Sequence, residues 1–250
     1  MDTEKKIYVI GGITGGIGQA LAAKLHQSGH EVLGFARDAV RLQGLQDVCA
    51  YDLQACDASQ PAALKALLSE WHERYGRIDG YVHAIGSILL KPAHLTSPEA
   101  WIQTIDTNLN SAFYALSYCT KIMSRQGAGS CLFFSTAAAQ VGLANHEAIA
   151  AAKGGIEAMV RSAAATYSNR GIRINAIAPS LTDTTLAQSI VGNPQSLKIS
   201  QQMHPLGRIG HPEEVASLAE WLLGEQAGFV TGQTYVMDGG LSTIVPKPRA

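Results

Sequence analysis

"KIYVIGGITGGIGQALAAKLHQSG", residues 6–29, decides the fold of this 250-residue chain. An apolar strand-like run leads into Gly12, Gly16 and Gly18, and a helical pattern that closes at Gly29 follows. Glycine suits a tight turn whose backbone must approach a pyrophosphate, and the amino end of the next helix offers free N–H groups and partial positive charge. The stretch therefore predicts a strand, a turn and a helix that bind a dinucleotide. The spacing alone is also compatible with a plain turn.

The same alternation of strand-like runs and helical patterns continues along the chain. The clearest strand patterns lie at residues 6–11, 31–36, 79–86, 130–136 and 172–179. Helical patterns lie between them, at residues 16–29, 61–76, 98–127 and 147–171. Such alternation is typical of βαβ units with a parallel sheet covered on both faces. We predict a single α/β domain over residues 1–250, a doubly wound Rossmann fold that binds NAD(P).

Composition and charge exclude several classes of partner. The formal net charge is −1 and the basic residues are scattered, so we expect neither nucleic acid nor a membrane surface as a partner. No run approaches the ~18 apolar residues of a membrane span. Four cysteines at 49, 56, 119 and 131 show no metal-ligand spacing, and no signal peptide is visible. We expect a cytoplasmic protein with reduced thiols, no metal and a small-molecule substrate.

A long segment rich in turn formers follows the strand pattern that ends at residue 179. In open α/β sheets, such a segment beyond the carboxyl end of a strand builds a substrate lid. We predict this lid over residues 183–207. Its apolar side chains suit an apolar or acyl-like ligand, although they also suit plain lid packing: Leu181, Leu186, Ile190, Val191, Leu197 and Met203.

Several ordered motifs together resemble the short-chain dehydrogenase/reductase family over nearly the whole chain. They are the glycine loop, "CDAS", "DGYVHAIG", "NLNSAF", "IRINAIAPS" and "PLGRIGHPEEVASLAEWLL…FVTGQTYVMDGG". "DGYVHAIG" is more similar to the enoyl-acyl-carrier-protein reductases of this superfamily than to its ketoreductases. The resemblance implies a nicotinamide cofactor and a homodimer or homotetramer.

The resemblance also indicates which cofactor to expect. Members that prefer NAD place an acid at the end of the second strand, whereas this chain has Ala36 followed by Arg37. Arginine offers a planar, permanently charged fork that suits a 2′-phosphate, so we predict NADP(H). An exposed arginine without this role is the alternative, because the second basic residue of many NADP-dependent members is Gly15 here.

Other cofactor contacts follow from the matched motifs. Asp57 matches the contact to the adenine amino group, and Thr184 matches the threonine that holds the nicotinamide carboxamide. Ser180 stands where the family usually has glycine. The full set of predicted cofactor-binding residues is Gly12, Thr14, Gly16, Ile17, Gly18, Arg37, Asp57, Ala58, Gly86, Lys153, Pro179 and Thr184.

The catalytic positions of the family contain one substitution that removes a proton donor. By position, Thr136 takes the place of the serine that steadies a substrate carbonyl, Lys153 that of the lysine, and Asn108 that of the asparagine. The tyrosine position holds Ile149, which carries neither a proton nor a charge. General acid–base catalysis is typically worth ~10²–10⁴-fold, and that contribution cannot come from isoleucine.

His146 offers a replacement donor. The enoyl reductases place their tyrosine seven residues before the lysine, and here that position is His146. Seven residues are close to two helical turns, so His146 and Lys153 share a face if the helix already includes residue 146. An exposed first-turn histidine behind an Asn145 cap is the alternative. His83 is expected to be packed or close to the cofactor rather than an acid.

Three functions of different classes fit these residues. The first is an NADPH-dependent reductase of an activated C=C bond or carbonyl, with a proton from His146, water or the substrate. The second is a non-redox isomerase, dehydratase or lyase on the same fold. The third is a catalytically silent nucleotide-binding protein, because a fold does not determine a function.

Overall fold

One parallel sheet organises the chain. The structure is a computed structural model that describes residues 5–246, and its seven strands lie in the order β3-β2-β1-β4-β5-β6-β7. Residues 1–4 and 247–250 of the predicted domain lie outside the described residues. All pairings along the sheet are parallel, which confirms the predicted doubly wound α/β fold in a single domain.

The strands agree with the sequence patterns and add two short members. Leu33 pairs with Asp52 in one of them, and Ala176 pairs with Thr234 in the other. These two strands have four residues each and lie at the edges of the sheet, so their patterns are short. The bounds are β1 Ile7–Gly11, β2 Glu31–Ala36, β3 Asp52–Ala55, β4 Gly80–His83, β5 Gly129–Phe134, β6 Ile172–Pro179 and β7 Thr234–Met237.

Helices cover both faces of the sheet and form two separate apolar cores. One face packs side chains such as Leu25 and Leu222 against the sheet, and the other packs Trp71, Met123 and Val160. The bounds are α1 Gly16–Gln27, α2 Ala39–Gln46, α3 Pro61–Tyr75, α4 Pro98–Ile105, α5 Ser111–Gln126, α6 Glu147–Tyr167, α7 Gln188–Val191, α8 Pro194–Met203 and α9 Pro212–Leu223. None of the helices within residues 5–246 is long and apolar enough to cross a membrane.

The helical pattern at residues 98–127 does not form one regular helix. A π-helical turn, Asp106–Asn110, separates α4 from α5. Such turns insert an extra residue into the helical register and often occur at functional sites. Here the turn places Asn108 toward the interior, where its side chain is fully buried.

The sheet order locates the ligand crevice. β1 lies between β2 and β4, so the connections that leave β1 and β4 diverge to opposite sides of the sheet. In open parallel sheets, ligands bind outside the carboxyl ends of the strands at this switch point. The glycine loop after β1, the turn after β4 and the long segment after β6 all lie at that edge.

Candidate active site

The glycine loop is shaped by close backbone packing. Gly12 has φ 81°, and a Cβ there would lie 2.6 Å from the carbonyl oxygen of Ala84. A Cβ at Gly18 would lie 2.5 Å from the carbonyl oxygen of Gly12. Both distances exclude a side chain, so Gly12 lets the loop meet the turn that follows β4 and Gly18 lets the start of α1 pack against the loop.

A cavity of about 400 Å³ opens beside this loop. Its wall contains half of the predicted cofactor residues, namely Gly12, Thr14, Arg37, Asp57, Ala58 and Gly86. Gly16 and Gly18 are not part of the wall of either large cavity; Gly16 instead packs on Thr184, and Gly18 on the loop itself. The carboxylate of Asp57 accepts hydrogen bonds from the N–H and hydroxyl of Ser59, which orders the turn after β3.

Arg41 adds a second cation that sequence reasoning missed. It lines the same cavity as Arg37, and its guanidinium donates to the carbonyl of Thr14 over 2.9 Å. Its backbone N–H bonds the Asp38 carboxylate that caps α2. Arg41 lies in the first turn of α2, a helix that has no counterpart among the helical patterns of the sequence, so no clear signal pointed to it. Two arginines, rather than one, therefore line this cavity.

A larger cavity of about 500 Å³ brings together the remaining predicted residues other than Gly16 and Gly18. The two cavities share part of their walls, namely Ala84, Ile85, Gly86 and Leu186. Together they form a continuous groove along the carboxyl edge of the sheet. The larger cavity is lined by Ile17, Asn108, Thr136, His146, Ile149, Lys153, Pro179 and Thr184.

Asn108 is held by the loop after β4. Its Nδ2 donates to the hydroxyl of Ser87 over 2.8 Å and to the carbonyl of Thr104 over 2.9 Å. Its Oδ1 accepts the N–H of Ser87 over 3.0 Å. The amide thus joins the π-helical turn to the wall of the groove, and its main geometric effect is to fix the turn at Gly86.

Thr136 follows β5 with a hydroxyl that has one hydrogen-bonding role still open. Its Oγ1 accepts the N–H of Ala138 over 3.3 Å, so its own proton is not used in that bond. The side chain lines the larger cavity. Thr136 can therefore donate a hydrogen bond to an oxygen bound there.

Lys153 and Ile149 are buried neighbours on α6 and face the larger cavity. Within the described part of the chain, the Lys153 ammonium makes no hydrogen bond or ion pair, although it lies near the backbone of Gly86. Burial lowers the pKa of Lys153 to about 8. A cation with no protein partner at this edge is available to a bound ligand.

His146 lines the same cavity but precedes the helix. α6 begins at Glu147, and His146 is its N-cap residue. The Nδ1 atom lies 2.8 Å from the carbonyl oxygen of Ala144, and Asn145 has φ 66°. The condition that the helix include residue 146 is therefore not met, yet His146 and Lys153 still border one cavity because the N-cap continues the helical face by one position.

His83 is packed, as predicted. Its Nδ1 lies 2.9 Å from the hydroxyl of Tyr81 and its Nε2 lies 3.0 Å from that of Ser111. Burial, aided by the charge of Lys153, lowers the pKa of His83 to about 3. A histidine that stays neutral across the physiological range does not act as the acid of this site.

Sequence reasoning also missed a serine–histidine pair. Ser180, directly after β6, and His204, directly after α8, both line the larger cavity. The Nε2 atom of His204 lies 2.8 Å from the hydroxyl oxygen of Ser180. The two residues are separated by 24 positions and no short motif joins them. The only partial signal was the serine at a position where the family usually has glycine.

Comparison with known proteins gives a consistent result. A family model described as enoyl-(acyl carrier protein) reductase matches residues 12–242. The 2-(S)-hydroxypropyl-CoM dehydrogenase 3 of Xanthobacter autotrophicus is 30% identical and aligns with 96% of this chain and 98% of its own. The 2,5-dichloro-2,5-cyclohexadiene-1,4-diol dehydrogenase of Sphingobium indicum is 32% identical, over 97% and 99%. The structure of a short-chain type dehydrogenase/reductase from Mycobacterium ulcerans superposes with a TM-score of 0.91 at 28% identity, covering 97% of this chain and 91% of that one.

The buried ammonium predicts a measurable stability defect. Because the folded-state pKa of Lys153 is about 8 against a usual 10.5, the penalty is complete below pH 8 and disappears as pH rises through 8 toward 10.5. At ~1.4 kcal/mol per pH unit, Lys153→Met should raise the free energy of unfolding by about 3 kcal/mol at pH 7 and by much less at pH 10. Urea denaturation at both pH values measures this difference. Lys65→Met, on the exposed face of α3, is the control and should change the free energy of unfolding by less than ~0.5 kcal/mol. An equal increase in the free energy of unfolding in both variants would contradict the burial argument.

Proposed function

The chain belongs to the short-chain dehydrogenase/reductase family of oxidoreductases, and on this premise we propose that it is an NADPH-dependent reductase of an activated C=C bond or carbonyl. The observation that carries the proposal is the continuous groove, which has two arginines at one end and Lys153, Thr136 and Asn108 at the other. The substrate is a small apolar or acyl molecule. The proton comes from a group other than a phenol.

The groove suits an NADPH molecule. Gly12 and Gly18 leave the backbone bare beside the amino end of α1, where a pyrophosphate is favoured. Arg37 and Arg41 would hold the 2′-phosphate, and Lys153 and Thr184 would hold the nicotinamide riboside. When bound, the cofactor supplies a hydride to the substrate.

The side chains around the substrate divide the remaining work. Thr136 donates its free proton to a substrate oxygen and so stabilises negative charge that develops there. Lys153 adds a positive charge to the same region from a buried position. Ile149 contributes only apolar surface and no proton. Hydride addition to a conjugated alkene gives an enolate, which needs only a hydrogen-bond donor, whereas addition to a ketone gives an alkoxide, which needs an acid. The site therefore favours conjugated alkenes over ketones. The description of the matching family model, an enoyl reductase, supports this preference.

Residues 183–207 act as the lid of this cavity. Five apolar side chains of the segment line it: Leu186, Ala187, Ile190, Ile199 and Met203. They form a wall that excludes water and accepts an acyl or cyclic hydrocarbon group. The two dehydrogenases compared above act, by name, on a hydroxypropyl thioether and on a cyclohexadiene diol. Their substrates are of the size that such a wall suits.

A homodimer or homotetramer is part of the proposal. Apolar side chains on α4 and α5 are exposed in the single chain, with Phe113 and Ile102 each 56% exposed and Trp101 43%. An exposed apolar group of this kind is typical of a protein–protein contact. Packing of these helices against a second copy would cover it.

Turnover of the purified protein tests the reaction class. We expect oxidation of NADPH, followed at its absorbance maximum, with α,β-unsaturated ketones or enoyl thioesters, and slower oxidation with saturated ketones. Lys153→Met should abolish turnover. Tight NADPH binding without turnover of any compound would favour a silent nucleotide-binding protein instead, and conversion of a substrate without NADPH oxidation would favour an isomerase or lyase.

The cofactor preference depends on the two arginines. Arg37→Ala should weaken NADPH binding by about 10- to 100-fold and leave NADH binding nearly unchanged, because a charge-assisted contact is worth ~1.5–3 kcal/mol. Arg41→Ala should have the same sign of effect. Fluorescence titration with both cofactors measures the change, and Arg74→Ala, whose guanidinium bonds Asp52 and Glu70 on the surface, is the control. Equal affinity of the wild type for NADPH and NADH would reject the preference.

Restoring a phenol tests the role of the isoleucine. Ile149→Tyr places a hydroxyl one helical turn from Lys153, so reduction of saturated ketones should rise by about 10²-fold or more if the rest of the site is competent. Ile149→Phe is the matched control, because it adds the ring without the hydroxyl. Steady-state rates with a panel of ketones distinguish the two, and equal rates for both variants would show that the phenol alone does not complete the site.

A further inference from the structure

The Ser180–His204 pair has a defined hydrogen-bond direction. The Nδ1 atom of His204 lies 2.6 Å from the carbonyl oxygen of Ser200 in the last turn of α8. A carbonyl only accepts, so Nδ1 carries a proton and Nε2 faces the hydroxyl of Ser180. The imidazole is 4% exposed, so this orientation is held by packing as well as by the two hydrogen bonds.

His204 lies beside two features of negative charge, a helix carboxyl end and a carboxylate. The residue is the C-cap of α8, where the helix dipole stabilises a cation. Asp238, also buried, is a charged neighbour: burial would raise its pKa, but hydrogen bonds from Ser242 and Gly240 and the interaction with His204 outweigh that effect and lower it. His146 has the opposite setting, because it stands at the amino end of the 21-residue helix α6. The two histidines of the larger cavity therefore lie at opposite ends of their helices.

The pair also separates two cavities. Ser180 and His204 belong to the wall of the larger cavity and to the wall of a smaller one of about 140 Å³ behind it. The smaller cavity is bordered by Asp238 and by the exposed ion pair of Arg208 and Glu214. These three groups face His204 from one side, and the titratable Lys153 and His146 share the larger cavity on the other. His204 thus has the substrate space on one side and, on the other, a small cavity that reaches the exposed Arg208–Glu214 ion pair.

We propose that Ser180 is the proton donor of this site and that His204 is the positioning residue that resupplies its proton. The inference rests on the proposed reductase function and names the group that replaces the missing phenol. As the cofactor is oxidised and the double bond reduced, the Oγ–H bond of Ser180 breaks and its proton bonds to the substrate anion. The Nε2–H proton of the His204 imidazolium moves to Oγ at the same time. His204 is left neutral with its proton on Nδ1, and it regains the Nε2 proton from solvent through the smaller cavity.

Removing either member should slow the reaction without affecting cofactor binding. Ser180→Ala should lower kcat by about 10²–10⁴-fold, and His204→Gln, which can still bond the hydroxyl but cannot titrate, should lower it comparably. The double variant should be no worse than either single one, because the two act as a unit. The rate of the wild type should fall as His204 deprotonates at higher pH, and this limb of the pH profile should disappear in His204→Gln.

Two controls separate the pair from its surroundings. Ser217→Ala removes an exposed hydroxyl on α9 that donates to the Glu213 carbonyl, so it should retain the wild-type rate and pH profile. His94→Gln, which replaces an exposed histidine outside these cavities, should also retain both. NADPH titration of every variant shows whether the groove is still formed, so a loss of turnover with unchanged NADPH affinity supports the proposal.

A spectroscopic measurement tests the pair without turnover. Long-range ¹H–¹⁵N correlation spectra of the histidine-labelled protein, recorded at a pH high enough for the His204 ring to be neutral, should show its remaining proton on Nδ1, and its Nε2 resonance should shift in Ser180→Ala. A neutral ring with its proton on Nε2 instead of Nδ1, or no shift of Nε2 in Ser180→Ala, would overturn the inference.

The kinetic outcomes keep the two proposals distinct. An active wild type with fully active Ser180→Ala and His204→Gln variants overturns the pair and leaves the reductase function standing. Loss of turnover in His146→Ala alone does the same and assigns the donor to His146. A wild type that binds NADPH but reduces nothing overturns the proposed function, and the inference with it.

Discussion

The close contact between the glycine loop and the turn after β4 is the constraint on which the rest of the site depends. A Cβ at Gly12 would lie 2.6 Å from the carbonyl oxygen of Ala84, so the two backbones meet without any side chain between them. This contact occurs where the sheet order changes direction, and it brings Gly86 within reach of Asn108 and Lys153. Two cavities that begin in different βα units therefore join into one groove.

The groove keeps a cation where burial makes it costly. Lys153 lies almost fully inside the protein and, among the described residues, has no partner for its ammonium group. A methionine or leucine there would stabilise the fold better, since an unpaired buried charge loses its hydration. If a bound ligand pairs with this ammonium group, the favourable interaction in the complex offsets the free energy lost when the group is buried. Ile149, four residues before the lysine on α6, contributes only apolar surface to the same cavity.

Helix ends give the two histidines of the larger cavity different surroundings. His146 precedes the amino end of α6, whereas His204 follows the carboxyl end of α8 and bonds one of its last carbonyls. The two imidazoles border the same cavity, so their different electrostatic surroundings, rather than their distance from the groove, distinguish them. Ser180 connects His204 to that cavity through its hydroxyl.

The sequence by itself determined the sheet, the order of most elements and the glycine loop, because these depend on patterns within a few residues of one another. The resemblance of its motifs to the family also pointed to Thr136, Ile149 and Lys153, and the structure places all three on one cavity. The π-helical turn at Asn108 was not visible, since its register shift leaves the apolar periodicity almost unchanged. Arg41 and the Ser180–His204 pair were missed for a related reason. Arg41 meets Thr14 across 27 positions and His204 meets Ser180 across 24, so only the folding of separate loops onto one sheet edge decides that these groups touch.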